Sequence, residues 1–243
     1  NEIILCKRAY VQLFAAQASL EEALIGLSTL ISEEEFENLS NMVIDLQIGY
    51  ADGIYSTEEA LAKVAEIYAL DMMPEIVDGV YQLSTKMHMV AFSAIANKLD
   101  NKANAVMLND IDMSEVDFQP IGNDVAGHRY SGTFDGQGHK FMNLSVNWGG
   151  NYFGLFGCVG AGAVIKNFII DNSCYIFGTG SYGGIIGGSN EAGTITIQQL
   201  GMEGTIETAN VEAAGIIGCN MGSTATFHIE NCYVTGQVIG NGN

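Results

Sequence analysis

The chain has 243 residues, 48% of them hydrophobic, and a formal net charge of −19, which is enough material for one large or two ordinary domains. Acid dominates throughout, with 5 Lys/Arg against 15 Asp/Glu in residues 1–99 and 4 against 13 in residues 100–243. A surface of that sign repels phosphate backbones and anionic lipid, so nucleic acid is not an expected partner, and the lack of any run of 18 apolar residues argues against membrane insertion.

Only Gly26, Gly49, Gly53 and Gly79 of the 30 glycines precede residue 100, so two differently built units are expected, 1–99 and 100–243. The first reads as an antiparallel helical bundle. Leu13, Ala16, Leu20, Leu24, Leu27 and Ile31 recur in steps of three and four, the spacing of one helical face. Ser32 followed by Glu35 is a capping box that starts a second helix, whose stripe is Phe36, Leu39, Val43, Leu46 and Tyr50. Ser56 and Glu59 repeat the signal for a third, carrying Leu61, Val64, Ile67 and Tyr68. Pro74 suits the first turn of a fourth, expected to run to about Asn97 with a seam of Ile76, Val80, Leu83, Met87, Val90 and Ala94. Met72, Met73, Met87 and Met89 read as core filling. The stretches 36-FENLSNMVID-45 and 55-YSTEEALAKV-64 resemble FIVAR modules, small helical units of bacterial surface proteins.

The second unit repeats. The blocks 154-GLFG-157, 184-GIIG-187 and 215-GIIG-218 start 30 and 31 residues apart, and each is followed by a strand-like run. Within those runs Ile165, Ile197 and Ile229 are 32 residues apart, as are Asn167, Gln199 and Asn231, and then Phe168, Leu200 and Cys232. Equivalent residues at a constant step are what stacked coils need, because one coil cannot bury its own apolar face. The implied architecture is a parallel β-helix, or β-solenoid. The amides Asn167, Gln199 and Asn231 are expected at a bend, hydrogen-bonding from coil to coil. The stretch 134-FDGQGH-139 reads as a hairpin-like corner, with Asp135 capping backbone N–H groups and His139 outward.

The run 107-MLNDIDMS-114 with 120-PIG-122, then 130-YSGTFDGQGHKFMNLSV-146, 154-GLFG-157 and 165-IKNFII-170, resembles the opening coils of GLUG-motif solenoids over about residues 103–243. These occur in exported proteins of gut Bacteroidetes and in surface proteins of Gram-positive bacteria. The resemblance implies a secreted or cell-surface setting and a repeat that is not itself catalytic. The N-terminal segment Glu2–Leu5 is too short for a signal peptide and lacks its flanks, so any export signal is expected to be missing from this chain. A further block would be due near residue 246, so the last coil is expected to present an edge able to self-associate.

Chemical candidates are few. The glycines of 122-GNDVAG-127 are followed by His128 and Arg129 where a phosphate loop needs Lys and Ser/Thr. Five cysteines are too sparse for a disulfide framework, and Cys232 falls in the apolar column, away from any role as nucleophile with His228. The outward acids Asp171, Glu203, Glu207, Glu212 and Glu230 leave a polysaccharide-active enzyme as the rival reading. No cofactor is expected; a cation such as calcium would find Asp110, Asp112 and Asp117, which serve equally to cap the first coil. Trp148, Tyr152, Tyr175, Tyr182 and Tyr233 are the candidate contact residues, as a strip that stacks on sugars or meets a protein. The expected function is therefore non-catalytic, adhesin-like recognition of a host or dietary glycan or protein, with a spacer role as a further alternative.

Overall fold

The computed structural model describes residues 2–210, 212–221 and 225–241. Four helices come first: α1 (Glu2–Leu27), α2 (Glu33–Ala51), α3 (Thr57–Tyr68) and α4 (Lys86–Lys98). Both capping boxes form, Ser32 with Glu35 and Ser56 with Glu59, and satisfy backbone donors that the first turn leaves without helical partners. α1 packs on α2, α3 and α4, burying Leu13, Ala16, Leu20, Leu24 and Leu27 from the expected stripe. No helix among the described residues is long and apolar enough to cross a membrane.

The fourth helix begins later than its spacing predicts. Ile76–Val77 and Val80–Leu83 are strands of an antiparallel hairpin, turned by Asp78 (φ 50°) and Gly79 (φ 79°). An Asp-Gly pair with both φ positive is the two-residue turn whose twist matches paired strands. Pro74 therefore precedes a hairpin, and Thr85 is the N-cap, accepting from the His88 N–H. The seam shifts with it: Met89, Phe92, Ile95 and Ala96 are buried, while Met87, Val90 and Ala94 are only partly so.

The rest is a β-solenoid of about four turns, wound as three sheets. The first sheet stacks Val80–Leu83, Asn104–Met107, Thr133–Met142, Val164–Ile170, Gly193–Met202 and Ala225–Glu230 in parallel. The second stacks Ser145–Trp148, Tyr175–Gly178, Thr205–Thr208 and Gln237–Gly240, and the third Phe156–Cys158, Ile186–Ser189 and Ile217–Asn220. The predicted register holds: Ile197 faces Ile165 and Ile229, and Leu200 faces Phe168.

Inside the first coils the rings of Tyr130, Phe134, Phe141, Phe156 and Phe168 interlock, and Phe92 of α4 joins them, 6.1 Å from Phe134 and 6.3 Å from Tyr130. α4 thus lies over the opening of the solenoid. Ser93 Oγ donates to the Gln119 carbonyl (2.9 Å), Asn97 Nδ2 to the Pro120 carbonyl (3.0 Å), and the Gly122 N–H to Asn97 Oδ1 (2.6 Å). Buried apolar residues form one cluster from Leu13 to Ile206. At the opposite end Ile229, Val234 and Val238 are exposed although they stand in register with the buried Ile197, Met202 and Ile206.

Candidate functional site

The first sheet carries a bend at the same point of successive coils, and the residue at each bend takes a left-handed backbone: Gln137 (φ 51°), Asn167 (61°), Gln199 (55°) and Asn231 (55°). Residues either side keep facing inward, so Ile165 and Phe168 are both buried while the amide between them is turned out. A row of amides results, one coil apart, about 4.8 Å from rung to rung. The row floors an open groove of about 690 Å³ walled by Asp135, Gly138, Ile169 and Tyr233.

The stretch 134-FDGQGH-139 forms the head of this groove. It is a bulge within one continuous strand rather than a hairpin-like corner: Asp135 pairs with Lys166 and His139 with Phe168, so three residues stand opposite Asn167 alone. Gly136 is needed there because a Cβ would overlap the Phe168 side chain and the Asn167 carbonyl. Asp135 caps as expected, accepting from the Gln137 N–H (2.9 Å), from Asn167 Nδ2 (2.8 Å) and from Lys166 Nζ (3.1 Å). Burial would raise its pKa, but the bonds from Asn167, Gln137 and Lys166 outweigh this and hold the carboxyl below its usual range. The coil-to-coil amide ladder does not form. Asn167 spends its amide on Asp135, and the amides of Gln137, Gln199 and Asn231 are exposed.

At the other end Tyr233 lies across Gly201, with its hydroxyl donating to Glu203 Oε1 at 2.6 Å. That carboxylate pushes the phenol up to about 12, so it stays protonated and remains a donor. The groove therefore offers amides that both donate and accept, one aromatic face, and carboxylates already engaged at its rim.

The five aromatic candidates do not form one strip. Only Tyr152 and Tyr182 meet, with centroids 5.0 Å apart at the turn before the third sheet; both have positive φ, and Tyr152 is buried. Trp148 is on the inward register of the second sheet with Val146, partly buried against the core. Tyr175 stands on the outer face of that sheet beside Phe177, ring planes 2° apart, and donates to Glu207. Tyr233 belongs to the first sheet and is the one candidate in the groove. Sequence reasoning took the amides as scaffold; their 32-residue step was the signal, but their exposure depends on the backbone turning left at each one.

Two of the candidate cation ligands have other partners. Asp110 Oδ1 accepts from His139 Nδ1 (3.2 Å) and the Lys140 N–H (2.9 Å), and Asp112 Oδ1 from the Ser114 N–H (2.9 Å) and Asn143 Nδ2 (3.0 Å), while Asp117 is placed by a backbone bridge to Ser145 that leaves its carboxylate unengaged among the described residues. No group of three or more potential metal ligands occurs among the described residues. Of the outward acids, Asp171 accepts from Ser173, Glu203 from Tyr233, Glu207 from Tyr175 and Glu230 from Gln198. Cys158, Cys174, Cys219 and Cys232 are free; the side chain of Cys6 lies outside the described residues. Gly188 separates Cys158 from Cys219 on the third sheet, and burial pushes these thiols up to about 11 and about 12. Cys232 is only partly buried, a departure from the buried position its register implies, because it belongs to the last described coil.

Parallel strands stacked in three sheets, with helices before the first coil, define the class: a β-solenoid protein with an N-terminal helical segment. The chain is 37% identical over 102 residues, 42% of its length, to Halomucin of Haloquadratum walsbyi (strain DSM 16790 / HBSQ001), and covers 1% of that protein's length. No protein-family model matches the chain, and no solved structure matches it.

Proposed function

We propose that the protein is a non-catalytic recognition module of a secreted or cell-surface protein, adhesin-like, that binds a neutral glycan along the amide groove. The observation that carries this reading is the set of exposed amides at left-handed bends, Gln137, Gln199 and Asn231, in a groove closed at one end by Tyr233. An amide can donate to one sugar hydroxyl while accepting from its neighbour, and a tyrosine ring can stack on a sugar face. The net charge of −19 disfavours an acidic polysaccharide. Similarity to part of Halomucin and the GLUG-like blocks support a setting outside the cell. The same proposal treats the short-linked helices as an antiparallel, FIVAR-like bundle, includes a host surface protein among possible partners, and gives the exposed rung of Ile229, Val234 and Val238 to edge-to-edge self-association.

A glycan array probed with the purified chain should show binding to neutral polysaccharides. The double variant Gln199→Ala/Asn231→Ala and the single Tyr233→Ala should each weaken it by tenfold or more, about 1.4 kcal/mol. Tyr175→Ala, on another sheet, should leave it unchanged. Absence of binding across the array would refute recognition of glycans, and loss in Tyr175→Ala alone would move the site to the second sheet.

A further inference from the structure

A second cavity, of about 780 Å³, lies between α1, α3, the hairpin and the start of α4. Its apolar wall includes Val11, Ala15, Leu61, Ala65 and Met73. Two polar groups in it have no hydrogen-bond partner among the described residues: His88 Nε2 and the Tyr68 hydroxyl. His88 is 5% exposed, so its ring nitrogen cannot simply turn to bulk water.

The tautomer follows from the other nitrogen. The Ser84 N–H donates to Nδ1 at 3.1 Å, so Nδ1 carries the lone pair. Burial pushes the imidazole below its usual range and so keeps the ring neutral, although the Asp71 carboxylate pulls the other way. Nε2 therefore bears the hydrogen. The Asp71 carboxylate, on a residue with φ 55°, lies 3.5 Å from Nε2, at ion-pair distance but without the geometry of a hydrogen bond. Burial raises the Tyr68 phenol well above its ordinary value, so it too keeps its proton. Two buried O–H and N–H groups thus face one cavity, and each is costly to leave unsatisfied.

The charges at the cavity select among ligands. Asp71, Glu75 and Asp78 line it with Arg8, and Arg8 is paired with Asp78 at 3.3 Å. A carboxylate or phosphate entering would meet uncompensated negative charge. We infer that this cleft is a binding site for an uncharged small molecule with an apolar body and one hydroxyl or carbonyl oxygen, which accepts from His88 Nε2–H and Tyr68 O–H. The site is built from the helical segment and the hairpin, and it is independent of the amide groove.

The test uses the full chain with 2-adamantanone as neutral probe and 1-adamantanecarboxylate as the anion of the same shape. Long-range ¹H–¹⁵N spectra should show His88 as the Nε2–H tautomer without ligand. Adamantanone should shift that resonance saturably, and the carboxylate should not. Because His88→Phe also removes the acceptor for Ser84 and could unfold the hairpin, the companion variant is Ala65→Trp, which narrows the mouth from an exposed position and leaves His88 intact. It should abolish the adamantanone shift while keeping the tautomer signature. An Nδ1–H tautomer, no saturable shift, equal response to both probes, or an unchanged response in Ala65→Trp would each overturn the inference.

Discussion

A chain cut to residues 100–243 should fail to fold and should aggregate, although it contains every repeat that the sequence displays. The cut removes Val80–Leu83, which pairs with Asn104–Met107 in the register Val80 to Asn104 through Leu83 to Met107. It also removes Phe92 from the ring cluster and the Ser93 and Asn97 contacts to the loop at 119–122. What remains is an unpaired strand edge beside buried Ala105, Met107, Tyr130 and Phe134, a template for pairing with other chains. A longer piece, 72–243, keeps the hairpin and α4 over the first coil and should retain more β-sheet circular dichroism than 100–243, even though it bares the face of α4 that packs on α1. A monomeric, folded 100–243 fragment in light scattering would show that the helical segment is dispensable to the solenoid.

Phe134→Ala should cost about 3–5 kcal/mol, the range for emptying a fully packed aromatic site. Phe134 is completely buried, with the rings of Phe92, Phe141, Phe156 and Phe168 at 6.1, 6.3, 5.3 and 5.8 Å. No neighbour can collapse into the space without breaking a strand register. Against a typical total of about 5–15 kcal/mol, such a loss brings the protein close to unfolding at room temperature. Urea titration should show it as a lowered midpoint at unchanged slope, followed both by the helical signal and by the fluorescence of the single tryptophan, Trp148. The two signals should move together, because Phe92 and Phe134 join helix and solenoid in one core. Phe14→Ala, at a position 66% exposed, should change the midpoint little. A Phe134→Ala midpoint indistinguishable from that of Phe14→Ala would contradict the packing described.

The solenoid was legible because its evidence is redundant: one position in one coil proves nothing, but Ile165, Ile197 and Ile229 at a fixed step exclude other arrangements. The capping boxes were legible for a similar reason, since two residues at a set spacing do one physical job. The Ile76–Leu83 hairpin was not. Ile76, Val80 and Leu83 fit a helical stripe as well as they fit strands, and Pro74 can precede either. The Asp78-Gly79 pair was the deciding local signal, outweighed by the long seam it interrupts. The aromatic residues failed as a strip because position along a repeat fixes which rung a residue occupies, whereas its direction at a corner depends on backbone angles. Tyr152 and Tyr182 turn with positive φ, and Trp148 follows the inward register of its strand. The His88 pocket had no sequence signal, since its members come from α1, α3, the hairpin and α4.

The left-handed bends have a consequence for how this surface can be rewritten. At Gln137, Gln199 and Asn231 the backbone conformation is one that glycine adopts without strain and that a residue with a Cβ reaches at roughly 1–2 kcal/mol, less for Asn. Glycine would suit the geometry at each of these bends, and the neighbouring turns use it freely, yet the chain keeps an amide at every one. The required backbone angle therefore narrows the choice at these bends to residues that bear a left-handed conformation at small cost, and β-branched side chains are disfavoured. Three outward positions, Gln137, Gln199 and Asn231, thus carry amides with no structural bond to lose, whereas Asn167 in the same column is held by Asp135.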